Sequence, residues 1–107
     1  MTITGTNISM TRGDSESVTV KCSDPFMTGD TVYMTVREDA ESPVLFQKTV
    51  EQFGAEGEAV IPIEHDDTEG LEFGDYMYDI QVTRADGTVT TLVKPARFTL
   101  TEEITYG

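Results

Sequence analysis

His65-Asp66-Asp67 is the one place in this chain where an imidazole stands beside carboxylates, the combination that general acid–base catalysis and metal binding both draw on. The imidazole lacks partners. A zinc site wants three or four ligands of His and Cys type, and the only cysteine, Cys22, continues the apolar face of Val18 and Val20 and is expected to be buried as a small hydrophobe. Nucleophilic catalysis would need a base within reach of a Ser, Thr or Cys. No spacing in the chain supplies one, so no catalytic residue is assigned and an enzyme is not expected. The carboxylates of Asp66, Asp67, Glu69 and Asp75, with Glu72 between them, crowd one loop and are the candidates for an oxygen-rich calcium site. Their spacing matches no calcium loop, and a strongly acidic chain produces such crowding by chance. No cofactor is expected. The segment His65 to Glu72 reads instead as a single turn of 3₁₀ helix crossing the end of the fold, capped by Asp67 or Thr68. Arg12-Gly13-Asp14 and Asn7-Ile8-Ser9 spell an integrin tripeptide and a glycosylation sequon, and both are better explained as turn and strand.

The elements that hold these residues are strands. From Leu71 to Val93 the chain alternates: Tyr76, Tyr78, Ile80 and Val82 fall on one face, Met77, Asp79, Gln81 and Thr83 on the other. Asp86-Gly87 then predicts a two-residue hairpin with positive φ at both central positions. Tyr76, Tyr78, Gly74, Asp86 and Gly87 are accordingly the structural residues singled out by sequence. Further strands are expected at Asn7 to Thr11, Glu16 to Cys22, Thr31 to Glu38, Val44 to Glu51, Ala59 to Glu64 and Thr88 to Lys94. A break at Pro95 precedes a last strand, Arg97 to Thr101. In the fourth of these, Lys48 shares a face with Val44, Phe46 and Val50, which suits a strand near a sheet edge with the stem on apolar surface. Pro62 marks the Ala59 strand as an edge too. Tyr33 on an outward face, and Phe26 and Phe53 in loops, are the aromatics available to a ligand.

Size and charge narrow the functions. At 107 residues with no internal repeat or linker the chain is one domain, 1–107. Its 20 acidic against 7 basic residues give a net charge of −13, a field that repels phosphate backbones and anionic lipid. Nucleic acid and membrane are therefore not expected partners, and a basic protein surface is. One cysteine cannot close an internal disulfide, which removes the stapled secreted scaffolds. The N-terminus has no basic and apolar regions of the signal-peptide kind, and no stretch approaches the roughly 20 apolar residues of a membrane span.

Seven to eight short strands with turns every 8–12 residues predict an all-β, immunoglobulin-like antiparallel β-sandwich, with a small barrel as the alternative. Leu71 and Gly74 ahead of Tyr76 have the layout of a tyrosine corner, in which the ring hydroxyl bonds back to the preceding loop. The chain has no Trp and one Cys, so the Cys-Trp-Cys set of antibody domains is missing.

The order MTRGDSESVTV, GDTVYMTVRE, LFQKTV, DDTEGLEFGDYMYDIQVTRADGTVTTLV and ARFTLTEEIT resembles the small β-sandwich domain of phage and prophage tail and baseplate proteins of Gram-positive bacteria, in particular the N-terminal domain of the upper baseplate protein. The matching features are the Arg12 to Asp14 turn, Gly29-Asp30, Asp67 to Ile80, Asp86-Gly87 and Phe98 to Thr105. They are turn and core positions, with no site among them. The resemblance implies a non-enzymatic virion structural protein, a tail or baseplate adaptor or decoration subunit made in the cytoplasm. Its implied partners are other tail and baseplate proteins, with a homo-oligomer, trimer or hexamer, expected from tail symmetry. In the relatives a long chain leads on to receptor-binding parts, whereas here the sequence stops at Gly107, which implies a free-standing subunit. The alternative function is a small ligand-binding module taking carbohydrate or calcium in loops at one sandwich end.

Overall fold

A computed structural model describes residues 2–4 and 6–102. The last residues of the closing motif, 103–105, lie outside the described residues. The chain runs β1 (Thr2–Thr4), β2 (Asn7–Thr11), β3 (Glu16–Val20), β4 (Thr31–Arg37), β5 (Val44–Val50), β6 (Ala59–Ile63), α1 (His65–Glu69), β7 (Gly74–Thr83) and β8 (Val89–Thr101). A six-stranded sheet in the order β1-β2-β8-β7-β4-β5 packs over a two-stranded sheet, β3-β6. The protein is thus an all-β sandwich.

Period two decides which side chains meet between the sheets. Ile8 and Met10, Val32, Met34 and Val36, Tyr78, Ile80 and Val82, and Phe98 and Leu100 come from the large sheet. Val18 and Val20 with Ala59, Ile61 and Ile63 come from the small one. They alternate with more exposed neighbours, although Thr35, on the outer face of β4 between Met34 and Val36, is itself buried. Phe98 sits at the centre, with Phe46 and Tyr78 edge-on to it at 6.2 and 6.3 Å. Burial of this kind, at about 25 cal/mol per Å² of apolar surface, is what holds two sheets together.

Four features depart from the sequence reading. The large sheet is mixed, because β2 runs parallel to β8; periodicity reports faces and not strand direction. Pro95 does not break the last strand. β8 continues through it, and the register steps from Ile80↔Val93 to Tyr78↔Ala96. The extra residue is a bulge, the usual place for a proline that cannot donate to a ladder. The hairpin loop has three residues and not two: Arg84 N–H donates to the Thr88 carbonyl at 2.8 Å and Gly87 N–H to the Arg84 carbonyl at 2.9 Å. Of the loop residues only Gly87 has positive φ, 92°, so Asp86 keeps ordinary geometry and its Oδ1 accepts from Thr88 N–H. This is the type I turn with a glycine bulge. Finally, His65–Glu69 is an α-helix, and not a 3₁₀ turn. Asp67 at its third position reaches back to Glu64 N–H at 2.7 Å, the reciprocal arm of a capping box, which favours continued α geometry.

Two tyrosines of β7 tie it to neighbouring backbone. Tyr76 Oη donates to the Glu72 carbonyl at 2.6 Å, the tyrosine-corner bond, with Gly74 at φ 140° beginning the strand. Tyr78 Oη donates to the Thr6 carbonyl. Burial pushes the Tyr78 hydroxyl above its ordinary pKa, so it stays a donor throughout the physiological range.

Candidate functional site

The imidazole and the carboxylates gather at one end of the sandwich, where the Arg12-Gly13-Asp14 turn lies on α1. Gly13 N–H donates to Thr68 Oγ1 at 2.8 Å, and Thr68 is fully buried. His65 places Nδ1 2.5 Å from the Gly13 carbonyl and Nε2 2.9 Å from Glu69 Oε2. That carbonyl first, then Glu69 and Asp66, hold its pKa above the ordinary value, so the ring favours donation on both sides. The Arg12 guanidinium lies over the Phe73 ring, 4.3 Å from its centroid, and donates to the Leu71 carbonyl. Asp67 faces the other way, with Oδ2 2.9 Å from Lys48 Nζ, the partner that lets the lysine lie along the edge strand with its stem covered.

The carboxylates singled out by sequence therefore do not converge as one ligand set. Asp66 and Glu69 remain close to His65, all three exposed, with ligand atoms within 4.8 Å of one another. Asp67 is spent on Lys48 and Glu64. Asp75 lies away on β7, where its Oδ1 accepts from Thr99 Oγ1 at 2.7 Å and Oδ2 is 3.9 Å from Arg97. Cys22 is half-buried just beyond β3, with its Sγ 3.8 Å from Arg84 Nη2, and Thr68 Oγ1 is occupied by the Gly13 N–H. The arrangement clamps a turn to a helix.

The opposite end holds Gly29-Asp30, Phe26 and Phe53, which the sequence singled out, around an Arg84 that it did not. β4 and β7 pair Thr31 with Thr83, so Asp30 and Arg84, the next residues outward, stand side by side. Arg84 Nη1 donates to Asp30 Oδ2 at 2.9 Å, and the guanidinium also donates to the carbonyls of Asp24 (2.9 Å) and Pro25 (3.3 Å) besides its contact with Cys22 Sγ. Asp30 is only 5% exposed and also accepts from the N–H groups of Met27 and Ala85. The Met27 bond first, and the guanidinium after it, hold its pKa below the ordinary carboxylate value. Gly29, at φ 99°, lets the chain turn between Met27 and Asp30.

A second loop, residues 51–58, is stitched to this one. Phe26 N–H donates to the Gly57 carbonyl at 3.1 Å, and the Phe26 and Phe53 rings stack with centroids 5.3 Å apart. Gly57 has φ 77°, and a Cβ there would stand 2.5 Å from Pro25 Cβ. Between the loops opens a cleft of about 870 Å³, lined by Phe26, Met27, Gly29, Glu51, Phe53 and Gly54 among others. The loop aromatics are not free platforms. Phe26 is 3% exposed and belongs to the core, because the loop folds inward under Arg84. Phe53 is half-buried against it. Tyr33 is half-buried as well, its hydroxyl donating to Gln81 Oε1 at 3.0 Å. The residue that does project is Met27, 69% exposed.

No family model and no curated protein matches the chain. Among the described residues no helix is long and apolar enough to cross a membrane.

Proposed function

We propose that this chain is a non-enzymatic virion structural protein, a phage or prophage tail or baseplate adaptor or decoration subunit that works through protein–protein contacts. The observation that carries the reading is the outer edge of β5. This seven-residue strand ends the large sheet, and its outward side chains Leu45, Gln47 and Thr49 bear no charge in a chain of net −13. Edge strands are ordinarily guarded by charge, proline or bulges. Here the guards are Lys48, turned to Asp67 on the covered face, and a bulge at Leu45, where the register steps from Val36↔Phe46 to Arg37↔Val44; Val44 and Leu45 remain 44% and 41% exposed. From Phe46 to Val50 the edge offers backbone donors and acceptors to a neighbouring strand.

The chemistry of the other sites supports the same reading. His65, Asp67, Arg84 and Asp30, the groups that could do chemistry, are each engaged in holding turns. The acidic surface favours basic tail and baseplate neighbours over nucleic acid and membrane, and tail symmetry is the ground for expecting copies around a threefold or sixfold axis. Loop-bound carbohydrate is less well supported, because Phe26 is buried and Tyr33 and Phe53 are half-buried. The test is quantitative mass spectrometry of gradient-purified particles from an induced culture of the source strain. Peptides of this chain at a stoichiometry close to that of tail proteins are expected. Intact particles without it would end the virion reading.

A further inference from the structure

The cleft between loops 23–30 and 51–58 is the open feature that the fold does not use. Its walls are preformed: Arg84 ties down one loop, the Phe26–Gly57 bond and the contact of Gly57 with Pro25 tie the second to the first. A site fixed in advance loses little conformational entropy on binding. Its apolar content is the stacked Phe26–Phe53 pair below and the projecting Met27 side chain above, a flexible and polarisable group suited to adapting around an inserted side chain.

Charge identifies the occupant. Loops 23–30 and 51–58 hold Asp24, Asp30, Glu51, Glu56 and Glu58 and no Lys, Arg or His. Asp30 is neutralised by Arg84. Asp24 lies beside Arg84, whereas Glu51, Glu56 and Glu58 have no ion pair among the described residues, and of these Glu51 lines the cleft itself. An uncompensated carboxylate at Glu51 on a wall shared with the Met27 thioether and the half-buried Phe53 complements a cation carried on an apolar stem.

We propose that this cleft is a docking site for a basic loop or tail of a partner protein, in which an Arg or Lys flanked by an apolar residue enters between Met27 and Phe53 and faces Glu51. The inference rests on the reading that the chain works through protein contacts, and it names the chemistry of one such contact. Neutral sugar fits less well, since Phe26 is buried and Phe53 is half-buried against it.

The experiment is an NMR titration of the isotope-labelled full chain with a blocked Gly-Leu-Arg-Arg-Leu-Gly peptide at low salt. Shifts concentrated at residues 26–31 and 51–54 are expected, weakening as salt is added. A version of the peptide with Glu for Arg should leave the spectrum unchanged. The double variant Met27→Ser/Glu51→Gln alters only exposed side chains and should keep the native spectrum while weakening peptide binding about tenfold. Shifts scattered over the acidic surface, an affinity the double variant does not change, or the same residues responding to a panel of neutral oligosaccharides would each overturn the proposal. Peptide binding and particle composition are independent readouts. A chain found in particles but silent toward the peptide loses this site and keeps its virion role, and the reverse result does the opposite.

Discussion

Replacing Gly57 with alanine tests whether the two loops at the cleft end are truly packed as one unit. Two costs arise at this position. The first is the left-handed backbone: at φ 77° an L side chain costs roughly 1–2 kcal/mol. The second is contact, because the new Cβ would lie 2.5 Å from Pro25 Cβ and 3.2 Å from the Phe26 carbonyl oxygen. Relief must come from moving a loop held by the Phe26–Gly57 bond, and overpacking of this sort costs about 1–3 kcal/mol. The sum, about 2–5 kcal/mol, is a large part of the 5–15 kcal/mol that native domains typically possess. Two companions separate the terms. Gly87→Ala at φ 92° meets nothing within 4 Å and should cost the backbone term alone, about 1–2 kcal/mol. Gly70→Ala, in ordinary α geometry with open space, should fall within about 0.5 kcal/mol of the parent. Urea unfolding of the three variants, compared at equal m-value, reads the differences directly. If Gly57→Ala proves no more destabilising than Gly87→Ala, loop 51–58 does not rest on Pro25 and Phe26, and the argument for a preformed cleft fails.

Other expectations follow from the same contacts. Thr68→Val should cost about 1–3 kcal/mol, because it leaves Gly13 N–H without its acceptor beside a buried position; Thr68→Ser should recover most of it in the same assay. The His65 pKa, followed by NMR of the imidazole protons, should lie above the ordinary value. Its folded pKa is raised, so its contribution to stability is fully present below about pH 6.5 and is lost as pH rises through the folded value. His65→Gln should flatten that slope. Asp30 has the opposite sign: its folded pKa is depressed, so its contribution is present above about pH 4 and is lost as pH falls through the folded value. The acid limb of a thermal-melting series should therefore be shallower for Asp30→Asn, which also starts from a lower melting temperature at neutral pH.

Which of these features the sequence could reveal depends on the range of the interaction. Alternation at period two needs only neighbours along the chain, and it placed Tyr78, Ile80 and Val82 inside and Lys48 on an edge strand. The tyrosine corner was legible for the same reason, since Tyr76 and Glu72 are four residues apart. Direction and partner choice are long-range. The parallel pairing of β2 with β8 joins segments some 90 residues apart, and nothing local encodes it. The hairpin was misjudged by one residue because Asp-Gly suits both a two-residue loop and a three-residue loop with a glycine bulge; Arg84 and Thr88 decide between them by pairing. The Asp30–Arg84 pair was hidden until β4 and β7 were known to be neighbours, although Gly29-Asp30 stood out as a motif. Phe26 was read as a loop aromatic from its Pro- and Gly-rich surroundings, and it is buried because Arg84 folds that loop over the end of the core.

The most direct test of the account is site-specific photocrosslinking within assembled particles, with the reactive side chain placed in turn at Gln47 on the β5 edge, at Met27 on the cleft and at Asp86 on the exposed hairpin as a control. A contact subunit of the proposed kind gives adducts to tail or baseplate proteins, or to a second copy of the chain, from Gln47 or Met27 and not from Asp86. Particles that carry the chain yet give no adduct from either surface would contradict it.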